Sequence, residues 1–194
     1  MNEVFTQQDW QLLVSGQTPY LGRLSERPIL FPGSFNPVHM GHQQMAELAA
    51  DILGGPIHPE ISIQNVDKPG IEFEQLTERV QDASRIGPVV VTQSPRFAQK
   101  ISLFPGATFV IGADTAIRLD ELRYYENDPA KRDDALNQIA DLGGRFLVFG
   151  RQIESTFHAA EKLSLSKPLK SLCQFVPETK FRVDVCSRQI RGSR

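Results

Sequence analysis

The chain has 194 residues, with 21 Lys and Arg against 23 Asp and Glu, a formal net charge of -2 and a pI near 6.1. That balance leaves no global positive field for gripping a polyanion, so a dedicated duplex DNA binder is excluded and no nucleic-acid partner is expected. Hydrophobic residues at 40% and charged residues at 23% are ordinary for a globular chain, and the length suits one domain with a small elaboration.

Residues 4 to 14 read as a short helix carrying Trp10, after which Gly16, Pro19 and Gly22 interrupt any regular element. Residues 1–27 are therefore expected to form an N-terminal arm, and residues 28–194 the domain proper. Ile29-Leu30-Phe31 is a short apolar run stopped by Pro32-Gly33, as in a buried strand of a parallel sheet. From Gly41 the apolar positions Met45, Leu48, Ala49, Ile52 and Leu53 mark one helix face, ended by Gly54-Gly55-Pro56.

The strand-then-helix unit recurs. Ile61-Ser62-Ile63 precedes a helical stretch from Phe73 to Ala83, and Val89-Val90-Val91 precedes one from about Arg96 to Leu103. Thr108 to Ile111 leads into Gly112, and Arg145 to Phe149 follows a long helical segment ending at Gly143-Gly144. Such alternation predicts an α/β fold, a Rossmann-like doubly wound parallel sheet in three αβα layers, with ligands outside the carboxyl ends of the strands.

Two cysteines, Cys173 and Cys186, exclude a disulfide scaffold or a four-cysteine zinc module and read as buried or idle thiols. The first residues include Glu3 and Asp9 and show no basic stretch followed by an apolar run. No apolar segment approaches the roughly 18 residues that cross a bilayer, so a cytoplasmic protein with no membrane partner is expected. The oligomeric state, a homo-oligomer included, stays open.

The loop after the first strand reads Gly33-Ser34-Phe35-Asn36-Pro37-Val38-His39-Met40-Gly41-His42 and runs straight into the amphipathic helix. Its residue types suit a phosphate. Gly33 lets backbone approach a ligand, the free N–H groups of a helix start carry partial positive charge, and His39 and His42 can face one site, with Gly41 leaving room between them. A histidine on a helix is otherwise a solvated or core residue, and the pair could instead ligate a metal, although neither a cysteine nor a Glu-x-x-His pattern supplies a local third ligand. A carboxylate at a strand end, as at Asp114 after Gly112, is a good acceptor for a ribose diol; it would serve equally as a helix N-cap.

Taken together, Gly-x-Phe-x-Pro-x-His-x-Gly-His after a first strand resembles the signature of the HxGH nucleotidyltransferase superfamily, with its cytidylyltransferase-like fold. Phe109-Val110-Ile111-Gly112-Ala113-Asp114 resembles the Gly-x-Asp turn of the pyridine-nucleotide branch, the nicotinate or nicotinamide mononucleotide adenylyltransferases. The resemblance implies transfer of AMP from ATP to a pyridine mononucleotide with release of pyrophosphate, and Mg²⁺ bound mainly through the ATP phosphates. It implies catalytic roles for His39 and His42 and ATP contacts from Gly33, Ser34, Phe35, Gly41, Gly112 and Asp114.

A third family element, an Ile-Ser-Ser-Thr-x-Ile-Arg stretch on the polyphosphate, is matched in part by Val185-Cys186-Ser187-Arg188-Gln189-Ile190-Arg191. It carries over Ser187 and Arg191 as ATP contacts, and Arg188 stands where the threonine would be; a solvated basic tail is the other reading of these arginines. Arg151 resembles the arginine that approaches the acceptor; Lys68, in the loop after the second strand, sits where an open sheet would place a phosphate contact to the acceptor, with a solvated loop lysine as its other reading. Tyr124 and Tyr125 lie where an aromatic face for the pyridine ring would be, with neither assigned. Other acceptors, phosphopantetheine or a phospho-alcohol with CTP, a catalytically weak nucleotide sensor, and a structural or interaction module are the alternative functions.

Overall fold

The computed structural model describes residues 5–64, 70–153 and 156–183. Helix α1 (Gln7–Val14) starts at a capping box: the Asp9 N–H donates to Thr6 Oγ1 at 3.2 Å, and the Thr6 N–H donates to Asp9 Oδ2 at 2.8 Å. The chain continues through β1 (Tyr20–Leu21), β2 (Ile29–Pro32), α2 (Met40–Leu53), β3 (Ile57–Ser62), α3 (Phe73–Ala83), β4 (Val90–Thr92), α4 (Phe97–Leu103) and β5 (Thr108–Gly112). Then come α5 (Ala113–Asp120), a 3-10 turn at Leu122–Tyr125, α6 (Pro129–Asp141), β6 (Arg145–Phe149), β7 (Arg151–Ile153), β8 (Thr156–His158), a second 3-10 turn at Ala160–Lys162, α7 (Lys167–Leu172) and β9 (Cys173–Phe175).

Seven strands form one sheet in the order β1-β4-β3-β2-β5-β6-β9, parallel except for β1, and β7 pairs with β8 as a separate hairpin. This is the doubly wound sheet that the alternation of apolar runs predicts. Chain order reverses between β2 and β5, which opens a crevice at their carboxyl ends.

Side chains alternate across the sheet and divide the core in two. Phe31, Ile61, Val91, Val110, Leu147 and Phe149 face α2 and α3, meeting Ala46, Ala49, Leu76 and Val80. Leu30, Val90, Phe109, Ile111, Phe146 and Val148 face the other helices, meeting Ile101, Ala116, Leu136, Ile139 and Leu169. The stretch read as an arm contributes to the same body: Leu13 is fully buried in the first core, and β1 pairs with β4, Tyr20 opposite Thr92.

Two local expectations are corrected, and one strand that the sequence reading did not foresee is added. The strand expected from Ile61 begins at Ile57, with Pro59 and Glu60 buried inside it. Glu60 is accommodated by Lys100 of α4, whose Nζ reaches both carboxylate oxygens at 2.6 Å, and by the Thr92 hydroxyl, which donates to Oε1 at 2.6 Å. The long helical segment before β6 is broken, since Glu126 and Asn127 turn left-handed, with φ of 56° and 59°, before α6 restarts with Pro129 in its first turn. Finally β9 extends the sheet beyond β6, a three-residue strand too short to show a period.

Candidate functional site

The crevice at the β2–β5 reversal is lined by the turn that leaves β2 and by the start of α5. The Gly33 N–H donates to the Glu60 carbonyl at 3.0 Å, which anchors the turn to the end of β3. Ser34 is exposed at the rim. Phe35 adopts φ 41°, a left-handed conformation that costs a bulky residue about 1–3 kcal/mol.

Packing offsets that strain. The Phe35 ring is 1% exposed and sits edge-on to Phe31 and His42, with centroids 5.5 and 5.3 Å away. Gly33 is small for the same reason, as a Cβ there would lie 2.9 Å from the Phe35 ring. The phenyl side chain therefore acts as the wedge that shapes the turn.

His39 is the N-cap position of α2 and His42 lies in its first turn. Their rings stack with centroids 3.7 Å apart and 27° between planes. The His39 N–H donates to His42 Nδ1 at 3.2 Å, so the neutral His42 ring carries its proton on Nε2. Gly41 permits the stack, since a Cβ there would lie 3.1 Å from the His39 ring.

Burial, then the neighbouring His39 and Arg151, hold the His42 imidazole down to about 3; burial and Arg151 lower His39 as well. At neutral pH the pair is uncharged. It presents oriented N–H donors at a helix start, and an incoming anion would favour their protonation.

Across the crevice Gly112 caps α5 and Asp114 lies in that helix's first turn, so the N-cap reading of Asp114 does not hold: the cap is a residue without a side chain. The Asp114 carboxylate faces Arg151 instead, Oδ1 to Nη1 at 3.2 Å, with both side chains about one-third exposed. A Cβ on Gly112 would come within 2.8 Å of Asp114 Oδ1 and 3.3 Å of the Arg151 Cδ. The structure thus gathers His39, His42, Gly41, Gly112, Asp114 and Arg151 at one switch point, from segments more than a hundred residues apart.

Against family models, residues 30–192 match the cytidylyltransferase-like family. The chain belongs to the cytidylyltransferase-like family. It is a nucleotidyltransferase, and its substrates are a nucleoside triphosphate and an acceptor. Comparison with curated proteins returned no match.

Lys68, Ser187 and Arg191 of this cytidylyltransferase-like chain, with Cys186 and Arg188, lie outside the described residues. Tyr125 donates its hydroxyl to the Leu119 carbonyl at 3.0 Å, whereas the Tyr124 hydroxyl accepts from Arg118 and Arg123 at 3.2 and 2.9 Å. Trp10 packs on Phe73 of α3, centroids 6.2 Å apart. Cys173 is a half-buried thiol pushed up to about 12 by burial and by Asp120.

Among the described residues no group of three or more His, Cys, Asp or Glu is arranged to hold a metal, and no helix is long and apolar enough to cross a membrane. Two features of this site escaped sequence reading: the buried Phe35 wedge and the Glu60–Lys100 pair beside Gly33. The first had no signal, because a phenylalanine gives no warning of a positive φ.

Proposed function

We propose that this nucleotidyltransferase is an adenylyltransferase that moves AMP from ATP to nicotinate or nicotinamide mononucleotide. One observation carries the reading: a stacked pair of uncharged imidazoles at the start of α2 faces an Asp114–Arg151 pair across the β2–β5 reversal. Imidazole N–H groups and a helix start suit a triphosphate, and a strand-end carboxylate suits a ribose diol.

The acceptor phosphate, already anionic near neutral pH, attacks the α-phosphorus in line. A new P–O bond forms, the bond to the bridging β-oxygen breaks, and pyrophosphate leaves with the negative charge. His39 and His42 donate hydrogen bonds to the phosphates as that charge shifts, His42 through Nε2. Gly33, Ser34 and Phe35 offer backbone to the nucleotide, Gly41 and Gly112 keep the approach open, and Arg151 faces the acceptor. In this proposal Lys68 adds an acceptor contact and Ser187 and Arg191 contact the β- and γ-phosphates. A Mg²⁺ ion, where bound, would supply charge neutralisation and would be held mainly through the ATP phosphates, in keeping with its reluctance to dehydrate.

The test is pyrophosphate release from ATP or CTP with a panel of acceptors: both pyridine mononucleotides, phosphopantetheine and a phospho-alcohol. Turnover with ATP and a pyridine mononucleotide alone supports the reading. Turnover with CTP, or with either other acceptor, overturns it. ATP binding without turnover on any acceptor marks a sensor.

A further inference from the structure

We propose that His158 is a substrate contact of this site, binding the acceptor's phosphate beside Arg151, an inference that rests on the nucleotidyl-transfer reading above. The hairpin β7–β8 puts Arg151 directly opposite His158. Directly opposed residues of an antiparallel pair share a face, with Cβ atoms about 5 Å apart. The face is defined by Arg151, whose guanidinium reaches Asp114 at 3.2 Å and bears electrostatically on both His39 and His42.

The other face of the hairpin is occupied. Phe157 lies under Arg182, whose guanidinium carbon is 4.8 Å from the ring centroid, and a Cβ on Gly150 would sit 2.7 Å from that ring. With Phe157 committed to one side, His158 is turned to the other, half-buried. Helix α5, which carries Asp114, packs on β7 as well as on β5 and β6, so the hairpin is docked on the site.

Strand order gives the geometry its meaning. The imidazole pair follows β2 and the hairpin follows β6, with β5 between them. Two anionic substrates that must meet in line are then held from opposite sides of β5: the triphosphate by the α2 start, the acceptor phosphate by Arg151 and His158. A phosphomonoester carries close to two negative charges at neutral pH and accepts several hydrogen bonds. The five N–H donors of Arg151 can serve Asp114 and a phosphate together, and the imidazole adds a donor from the neighbouring strand.

The test compares the full chain with His158→Ala and His158→Gln, measuring ATP binding, and mononucleotide binding in the presence of a non-hydrolysable ATP analogue, by calorimetry. The expected result is mononucleotide binding weakened about tenfold by His158→Ala, the loss of one charge-assisted hydrogen bond, with ATP binding within about twofold of the parent. Glutamine, which keeps an N–H donor, recovers part of the loss. Unchanged mononucleotide binding, or ATP and mononucleotide weakened alike, overturns the assignment while leaving the site itself standing. A parent protein that binds neither ligand overturns both. Thermal melts of the unliganded variants accompany the titrations, and where His158→Ala melts lower, the glutamine variant decides.

Discussion

The His42 imidazole ties function to folding, and a single substitution separates the two. In the folded protein it is held down to about 3, against an ordinary value of 6.5, chiefly by burial against Phe31 and Phe35. As pH falls below 6.5 the unfolded chain takes up a proton at this position that the folded protein refuses. Stability is therefore retained above 6.5 and lost progressively as pH drops toward 3. Between pH 7.5 and pH 5.0 that single group removes about 2 kcal/mol from the unfolding free energy.

His42→Asn deletes the titration while keeping an acceptor for the His39 N–H. Its absolute stability changes too, since a ring leaves the Phe31–Phe35 cluster, but that loss is the same at both pH values and drops out of the comparison. Urea denaturation of both proteins at pH 7.5 and 5.0 reads the effect. The parent should lose about 2 kcal/mol more than the variant across this range. Equal losses in the two proteins would mean that the ring titrates normally, refuting the picture of an uncharged imidazole stack.

Removing the donor altogether with His42→Ala should lower pyrophosphate release about a hundredfold while a cooperative melt survives; unaltered turnover would take the histidine out of the chemistry. Gly112→Ala places a Cβ 2.8 Å from Asp114 Oδ1, so the KM for ATP should rise several-fold with little change in Tm, read by steady-state kinetics. Lys100→Met leaves the Glu60 carboxylate buried and unpaired and should cost about 3–5 kcal/mol in urea titration. The double variant Glu60→Leu, Lys100→Met should regain most of it.

Much of this protein was legible in its residue order. Apolar runs at Ile29, Ile61, Val89, Thr108 and Arg145, alternating with helical stretches, are enough to call for a parallel sheet, because a strand buried on both faces is apolar along most of its length. The glycine-rich turn with His39 and His42, and Asp114 after Gly112, stand at strand ends, where such sheets place their ligands. What local pattern could not express was long-range pairing. β3 can bury Glu60 because Lys100, forty residues on, and the Thr92 hydroxyl meet its carboxylate. Phe35 holds a left-handed turn only because Phe31 and His42 box in its ring. Arg151 meets Asp114, and His158 stands beside Arg151, only once β6 has docked on β5 and the hairpin has closed. Periodicity reports which face of an element is buried; which partner stands opposite is decided by packing between distant segments, and the charges of this site exist as a site only through it.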